Sequence, residues 1–382
     1  MKFTHMGDCH LGGWRQPELM KLNMDSFRFA IDTSIKEKVS FILIAGDLFD
    51  SAYPPIEIIK DAFREFKKIY DAGIPVFLIA GSHDYSVAGK SFLDVLEQAG
   101  FVKNVFQKED RNGFIYLLPT LYKNVAIYGY PGKKSGLEVD DIGKIRLHEA
   151  PGLFSILMLH TTIRDAIGSL PIPAVEHEKL PKTDYLALAH LHINYQRQNR
   201  IYCGPTFPNN ALELEELQGG SFYISDTSGK FERREIKLKD VKIFDFKVEN
   251  AQRTSEQIKE ELKKHDLKDK IVILRLSGTI IEGKLADINF KEVDSQASKQ
   301  GAFTILKNLS RLQIGDSAIP ISLSSENLEE NILKEYIEKN NTDLNKLIIP
   351  LFSVLQVEKK EDERTAIFEE RLLEEARRVL QL

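Results

Sequence analysis

The run Phe41-Ile-Leu-Ile-Ala-Gly-Asp-Leu-Phe-Asp50 constrains this chain more than any other stretch. Its first residues are continuously apolar, as in a strand buried on both faces. Gly46 stops the strand, and Asp47 follows at once. Open α/β sheets build their sites at the carboxyl ends of strands, so Asp47 is read as a site carboxylate. The pattern recurs along the chain. A strand over residues 1–7 ends in Asp8-Cys-His10, and Pro75-Val-Phe-Leu-Ile-Ala80 ends in Gly81-Ser-His-Asp84. Phe154-Ser-Ile-Leu-Met-Leu159 ends in His160, and Tyr185-Leu-Ala-Leu188 in Ala189-His-Leu-His192. Four-residue apolar spacing predicts helices over 24–38 and 55–72, and a further helix is expected over 90–99. Strand and helix alternate as in βαβ units.

A single histidine at a strand end is more often structural than functional. Here five of the nine histidines stand at such ends. Imidazoles and carboxylates together suit borderline divalent ions such as Mn²⁺, with Zn²⁺ or Fe²⁺ as substitutes. Two such ions about 3.5–4 Å apart can polarise a phosphoryl oxygen and ionise a water for in-line attack. A histidine left free, for which His83 is the candidate, can protonate the leaving oxygen. Ala88-Gly-Lys-Ser91 imitates the end of a phosphate-binding loop, but the glycine required at position 84 is Asp84. His5, His148, His177 and His265 lack partner patterns and are read as ordinary residues; Cys9 is read as a packed small side chain.

Composition limits the alternatives. The 382 residues include 52 basic and 57 acidic side chains, a net charge of −5, which argues against nucleic-acid binding by bulk charge. A local basic groove would be averaged away in that sum. Cys9 and Cys203 make no disulfide framework, so a reducing, cytoplasmic location is expected. No apolar run reaches about 18 residues, and the N-terminus reads as strand without a signal peptide, so no membrane association is expected.

The expected organisation is a domain over residues 1–235, a small α+β unit over 236–320 and a helical segment over 321–382. Lys133–Gly143 reads as a mobile loop, and Pro205–Phe207 as a short strand. In the second half, Val241–Val248 and Ile271–Leu276 read as strands, Ser255–Lys264 as a helix, and Phe303–Leu306 and Leu312–Ile314 as two further strands. Ser325 caps a helix expected over Leu328–Asn340; Leu347–Val357 is apolar and Glu358–Arg364 a charged spacer. The terminal helix over Thr365–Leu382 carries an apolar stripe of Phe368, Leu372, Ala376, Val379 and Leu380, fit to dock on its own domain or on a partner.

Asp8-x-His10, Gly46-Asp47, Gly81-Ser-His-Asp84, His160 and Ala189-His-x-His192 together resemble the five blocks of the calcineurin-like metallophosphoesterases. Their order and spacing are most similar to the nuclease subunit of the DNA double-strand-break repair complex, the meiotic-recombination-eleven or SbcD family. The resemblance implies a four-layer α/β fold of two packed sheets flanked by helices, with a capping domain that grips DNA. It implies that Asp8, His10 and His192 hold one metal, His160 and His190 the other, and Asp47 both. His83 would be the catalytic acid, held by Asp84. Two positions depart from the family: Ser82 stands where an asparagine ligand is usual, and Asp50 where some archaeal members carry a second histidine. The implied activity is a two-metal nuclease with Mn²⁺ as the first choice and Mg²⁺, Zn²⁺ or Fe²⁺ as substitutes. It would act as a 3′-to-5′ exonuclease on double-stranded ends and an endonuclease on single-stranded or hairpin DNA. The implied partners are a second copy of the chain, paired through helices of the first domain, and an ABC-type coiled-coil ATPase held by the terminal helix. A nucleoid-associated place in the cytoplasm follows. The rivals are a small-molecule phosphodiesterase of the same fold and a DNA-tethering scaffold with a weakened site.

Overall fold

The computed structural model describes residues 1–85, 91–133, 136–314, 347, 350–351, 354 and 365–380. Two six-stranded sheets form the centre of the first half. One runs, in spatial order, Phe231–Ile236, Gly220–Asp226, Lys2–Met6, Phe41–Ile44, Val76–Leu78 and Lys103–Asn104. The other runs Asn194–Arg197, Arg200–Cys203, Tyr185–Ala189, Phe154–His160, Val125–Tyr130 and Thr120–Tyr122. Each has four parallel strands in succession with antiparallel pairing outside them.

Side-chain alternation explains why these strands read as unbroken apolar runs. Phe41, Leu43 and Ala45 point to the other sheet, where they meet Val125, Ile127, Ile156, Met158 and Tyr185. Ile42 and Ile44 point the other way, onto Phe27 and Ile31 of the Pro17–Lys36 helix and Ala62 and Phe66 of the Ile56–Asp71 helix. The outer face of the second sheet is covered by a three-stranded sheet, Lys108–Arg111, Phe114–Leu117 and Ile145–Leu147, through Ile115, Leu117 and Ile145. The layered α/β architecture expected from the sequence is therefore present. His5 lies between the large sheets with Nδ1 3.0 Å from the Tyr185 hydroxyl, and burial pushes its pKa down to about 3.

Several boundaries differ from expectation. The first helix begins at Pro17 rather than 24, because proline is accommodated in the first turn and Leu19 and Leu22 are buried beside Trp14 and Phe207. The expected loop over Lys133–Gly143 contains a short helix, Glu138–Ile142. It is anchored by the buried Glu138, which accepts from the Thr161 hydroxyl at 3.0 Å. Pro205 makes only an isolated bridge with Gly7 instead of a strand, as a residue without an N–H will. The two strands expected near 303–314 are one, Thr304–Ile314, and helices at Ala211–Leu217 and Phe290–Lys299 were not expected.

The chain divides into two compact units. The first comprises Met1–Phe246, Ser255–Leu276 and Asn289–Ser310. In it Ile271, Ile273 and Leu306 of the Val241–Lys247, Ile271–Ile280, Thr304–Ile314 sheet pack with Trp14, Phe207 and Leu214. The second comprises Lys247–Thr254, Ser277–Ile288 and Arg311–Leu382. It contains the Thr365–Leu380 helix, on which Phe368, Leu372, Ala376 and Val379 are half-buried while Leu373 and Leu380 are exposed. The helix expected over Leu328–Asn340, the spacer over Glu358–Arg364 and most of Leu347–Val357 lie outside the described residues. Among the described residues no helix is long and apolar enough to cross a membrane.

Phe41 stacks on Phe3 at 5.0 Å and meets Phe77 and Tyr122 edge-on. Phe41→Ala should cost about 3–5 kcal/mol of stability through lost burial and the cavity left between the sheets. Urea denaturation followed by circular dichroism would read this as a lower midpoint at unchanged slope.

Candidate metal centre

Five parallel strands, three from the first large sheet and two from the second, end around one floor. Beyond the first two strands the backbone stays laced: Asp8 N–H donates to the Gly46 carbonyl and His10 N–H to the Asp47 carbonyl, both at 3.0 Å. The Asn23 side chain donates to the Cys9 carbonyl at 2.8 Å and pins the same turn from the first helix. Asp8, His10, Asp47, His190 and His192 all have positive φ, between 41° and 111°. Non-glycine residues seldom occupy that region, and each such residue costs on the order of 1–3 kcal/mol. The bends bring successive donors onto the same floor. Space there is scarce: a Cβ on Gly46 would lie 2.4 Å from His160 Nδ1, and one on Gly81 2.2 Å from Asp47 Oδ1.

The residues singled out in the sequence converge. His10 Nε2 lies 3.0 Å from His192 Nε2 and 3.7 Å from Asp47 Oδ2. His192 Nε2 lies 4.0 Å from Asp8 Oδ1. His160 Nε2 is 3.1 Å from Asp47 Oδ2 and 3.3 Å from His190 Nδ1. Two groups, Asp8 with His10 and His192, and Asp8 with Asp47 and His160, each bring three ligand atoms within 4.8 Å of one another. Donors bonded at about 2.1 Å to one cation stand roughly 3 Å apart, so the set fits divalent ions in spacing and chemistry. Ser82 donates its hydroxyl to Asp47 Oδ2 at 3.3 Å.

Electrostatics agree with that fit. Burial works against the charge on Asp47, yet the His160 and His10 rings hold its carboxyl far below the usual range. Burial likewise opposes protonation of His160, but the Asp47 and Asp8 carboxylates keep it well above the ordinary value. His192 is raised to about 9: Asp8 and the hydrogen bond to Glu213 outweigh its burial. His190 is pushed down to about 4, first by burial and then by the His160 charge. Protons on His160 and His192 thus neutralise the carboxylates, and a cation taking those nitrogens would displace them.

Asp84 requires a correction. The sequence reading has it holding His83. Instead its buried carboxylate accepts three backbone N–H groups, from Leu48 at 3.1 Å, Phe49 at 3.0 Å and Gly81 at 3.1 Å. A carboxylate this deep needs donors, and the turn after Asp47 offers amides. Burial and the nearby Asp47 charge push it up to about 6 against those donors. His83 is held by Asp50: its Nδ1 lies 2.9 Å from the Asp50 carbonyl oxygen, and its N–H donates to Asp47 Oδ1 at 2.7 Å. The His83 side chain is 46% exposed and stands edge-on to His10.

A supporting layer escaped the sequence reading. Glu213 Oε1 lies 3.0 Å from His192 Nδ1, and Asp50 Oδ1 lies 3.2 Å from His10 Nδ1. Asn209 joins the two, donating its N–H to Glu213 at 2.8 Å and its side-chain amide to Asp50 at 3.3 Å. The available signal was the Asn-Asn-x-x-Glu run: Asn210 caps the Ala211–Leu217 helix, accepting from Glu213 N–H at 3.0 Å. Such a run announces a helix start, and nothing in it points to His192.

The calcineurin-like phosphoesterase family matches residues 1–218 of the chain. The chain is also similar to proteins named DNA double-strand break repair protein Mre11. It is 28% identical over 369 residues to that of Methanococcus maripaludis, covering 90% of this chain and 92% of the relative. It is 32% identical over 313 residues to that of Methanocaldococcus jannaschii, covering 72% and 81%. With that of Sulfurisphaera tokodaii the identity is 26% over 363 residues, covering 88% of each. The family resemblance read from the motifs is borne out.

Asp84→Ala should destabilise the fold by about 3–5 kcal/mol, because three buried amides lose their acceptor; a loss below about 1 kcal/mol in urea denaturation would contradict this role. Glu213→Ala should leave the fold intact and weaken Mn²⁺ binding about 10–100-fold, read by calorimetric titration, because His192 loses the partner that orients its ring.

Proposed function

The chain belongs to the calcineurin-like phosphoesterase family and is a metal-dependent phosphodiesterase; on that premise we propose that it is a DNA double-strand-break repair nuclease with a two-Mn²⁺ centre. We assign Asp8, His10 and His192 to one ion, His160, His190 and Ser82 to the other, and Asp47 to both. When bound, such a pair polarises the phosphoryl group and lowers the pKa of an attacking water. Asp47 and Asp8 hold negative charge that the ions neutralise. His83 donates a proton from Nε2 to the departing oxygen while Nδ1 stays on the Asp50 carbonyl. Ser82 steadies Asp47 through its hydroxyl, and Asp50 orients His10.

The observation that carries this reading is the floor of Asp and His donors drawn from both sheets, with the exposed His83 beside it. DNA as substrate is supported by the relatives' length and name. We extend the reading to 3′-to-5′ exonuclease action on double-stranded ends, with endonuclease action on single-stranded or hairpin DNA. Residues 236–320 act as the cap that grips the duplex. A homodimer forms through helices of the first domain. The Thr365–Leu380 helix, with Leu373 exposed beside its half-buried apolar stripe, holds the base of an ABC-type coiled-coil ATPase.

Mn²⁺-dependent cleavage of end-labelled duplex DNA tests the central claim. His83→Ala should lower turnover about 10²–10⁴-fold at unchanged metal content. Turnover of a chromogenic phosphodiester without DNA cleavage would instead make the chain a small-molecule phosphodiesterase.

A further inference from the structure

The small sheet of Lys108–Arg111, Phe114–Leu117 and Ile145–Leu147 has one face in the core and one outside. Ile115, Leu117 and Ile145 face inward, so alternation sends Phe114, Tyr116 and Arg146 outward. Register sets Tyr116 opposite Arg146 and Phe114 opposite Arg111. The Arg146 guanidinium lies over the Phe114 ring, 4.4 Å from its centre, and the Arg111 guanidinium 5.8 Å from that of Tyr116. Phe114 is 39% exposed. Two aromatic rings with arginines on their faces thus stand on a rigid strand surface that the phosphoesterase centre does not use.

A groove of about 500 Å³ adjoins this face. Leu147, Leu180 and Pro181 supply apolar wall, and Arg146, Lys179 and Lys182 line it as cations. In a chain of net charge −5 most lysines would be expected beside a carboxylate, as Lys21 is beside Asp25 and Lys67 beside Asp71. Yet none of these three cations has an ion-pair partner among the described residues. Arg146 donates only to the neighbouring Ile145 carbonyl, at 2.8 Å, and the one acid in the groove, Glu178, is paired with His177 at 3.3 Å. The cations of the Lys108–Arg111 strand, by contrast, are paired: Arg111 with Glu109, and Lys108 with Asp110 at 2.7 Å.

We propose that this sheet face and groove form a binding platform for single-stranded DNA, separate from the residues of the metal centre. Unpaired cations track a phosphate backbone, while rings and guanidinium planes stack on bases whatever their sequence. Duplex DNA keeps its bases inside the helix and could use only the cations. An acidic peptide could use the cations but has no flat faces to stack. The proposal extends the nuclease reading, because an enzyme of DNA ends produces and meets unpaired strand.

The test is fluorescence anisotropy of the full-length chain with an oligo-dT of about 15 nucleotides, in metal-free buffer so that the strand survives. Mn²⁺-dependent turnover is followed in parallel on duplex DNA and on a chromogenic phosphodiester. Phe114→Ala should weaken oligo-dT binding about tenfold. The triple variant Arg146→Ala, Lys179→Ala, Lys182→Ala should reduce the slope of log affinity against log salt by about 2. Both variants should retain turnover of the chromogenic ester, which also reports that they fold. Variants that bind oligo-dT as the parent does, with the same salt slope, overturn the platform while DNA cleavage keeps the nuclease reading. Competition by poly-glutamate equal to that by oligo-dT, with Phe114→Ala without effect, makes the face a protein-docking surface and likewise overturns it. Strand binding lost in the variants, in a chain that cuts no DNA, supports the platform and removes the nuclease.

Discussion

Asp47 sets a carboxylate on the floor of the site with 2% of its surface exposed, where an unpaired charge would cost several kcal/mol. It accepts the His83 amide, receives the Ser82 hydroxyl and sits 3.1 Å from His160 Nε2. His160 is in turn oriented by its Nδ1, 3.0 Å from the Ala45 carbonyl oxygen. One buried negative charge therefore ties the end of the Phe41–Ile44 strand to a strand of the opposite sheet. The two sheets cannot slide without separating that charge from its partners.

The same crowding explains the strained backbone. Five donors with positive φ lie on turns that leave a strand and must point a side chain back across its end. A relaxed turn would send Asp8 or His192 away from the floor. The strain is borne by hydrogen bonds around it: Asp84 takes the three amides of the turns after Asp47 and Ala80, and Asp8 accepts the His190 N–H at 2.9 and 3.0 Å. Gly46 and Gly81 keep the contact distance short enough for side chains of both sheets to meet on the floor. Preorganisation of this kind allows cations to bind without rearrangement of the chain.

The Ala211–Leu217 helix links the centre to the rest of the first unit. Glu213 reaches His192, while two residues on Glu215 accepts from Asn308 at 2.9 Å and from Arg275 at 3.5 Å. A short helix, capped by Asn210, thus carries one acidic side chain to His192 and another to the strands of the α+β part.

Local sequence determined the strands, their apolar character and the candidate donors, because a buried strand needs continuous apolar residues and a metal donor needs a particular atom. Asp8, His10, Asp47, His160, His190 and His192 could be named from their positions after such runs. Partnership could not be. Asp84 follows His83 directly, yet serves amides 35 and 36 residues away as well as Gly81, because a carboxylate is satisfied by whichever donors the fold brings near. Glu213 and Asn209 carry only the signature of a helix start, and their role at His192 and Asp50 depends on chain segments about 20 and 160 residues distant. The basic groove at Arg146, Lys179 and Lys182 was invisible in a net charge of −5, since a sum over the chain erases where charges stand. Donor identity is a property of the residue; pairing, exposure and charge density are properties of distance, and only the tertiary structure sets distances.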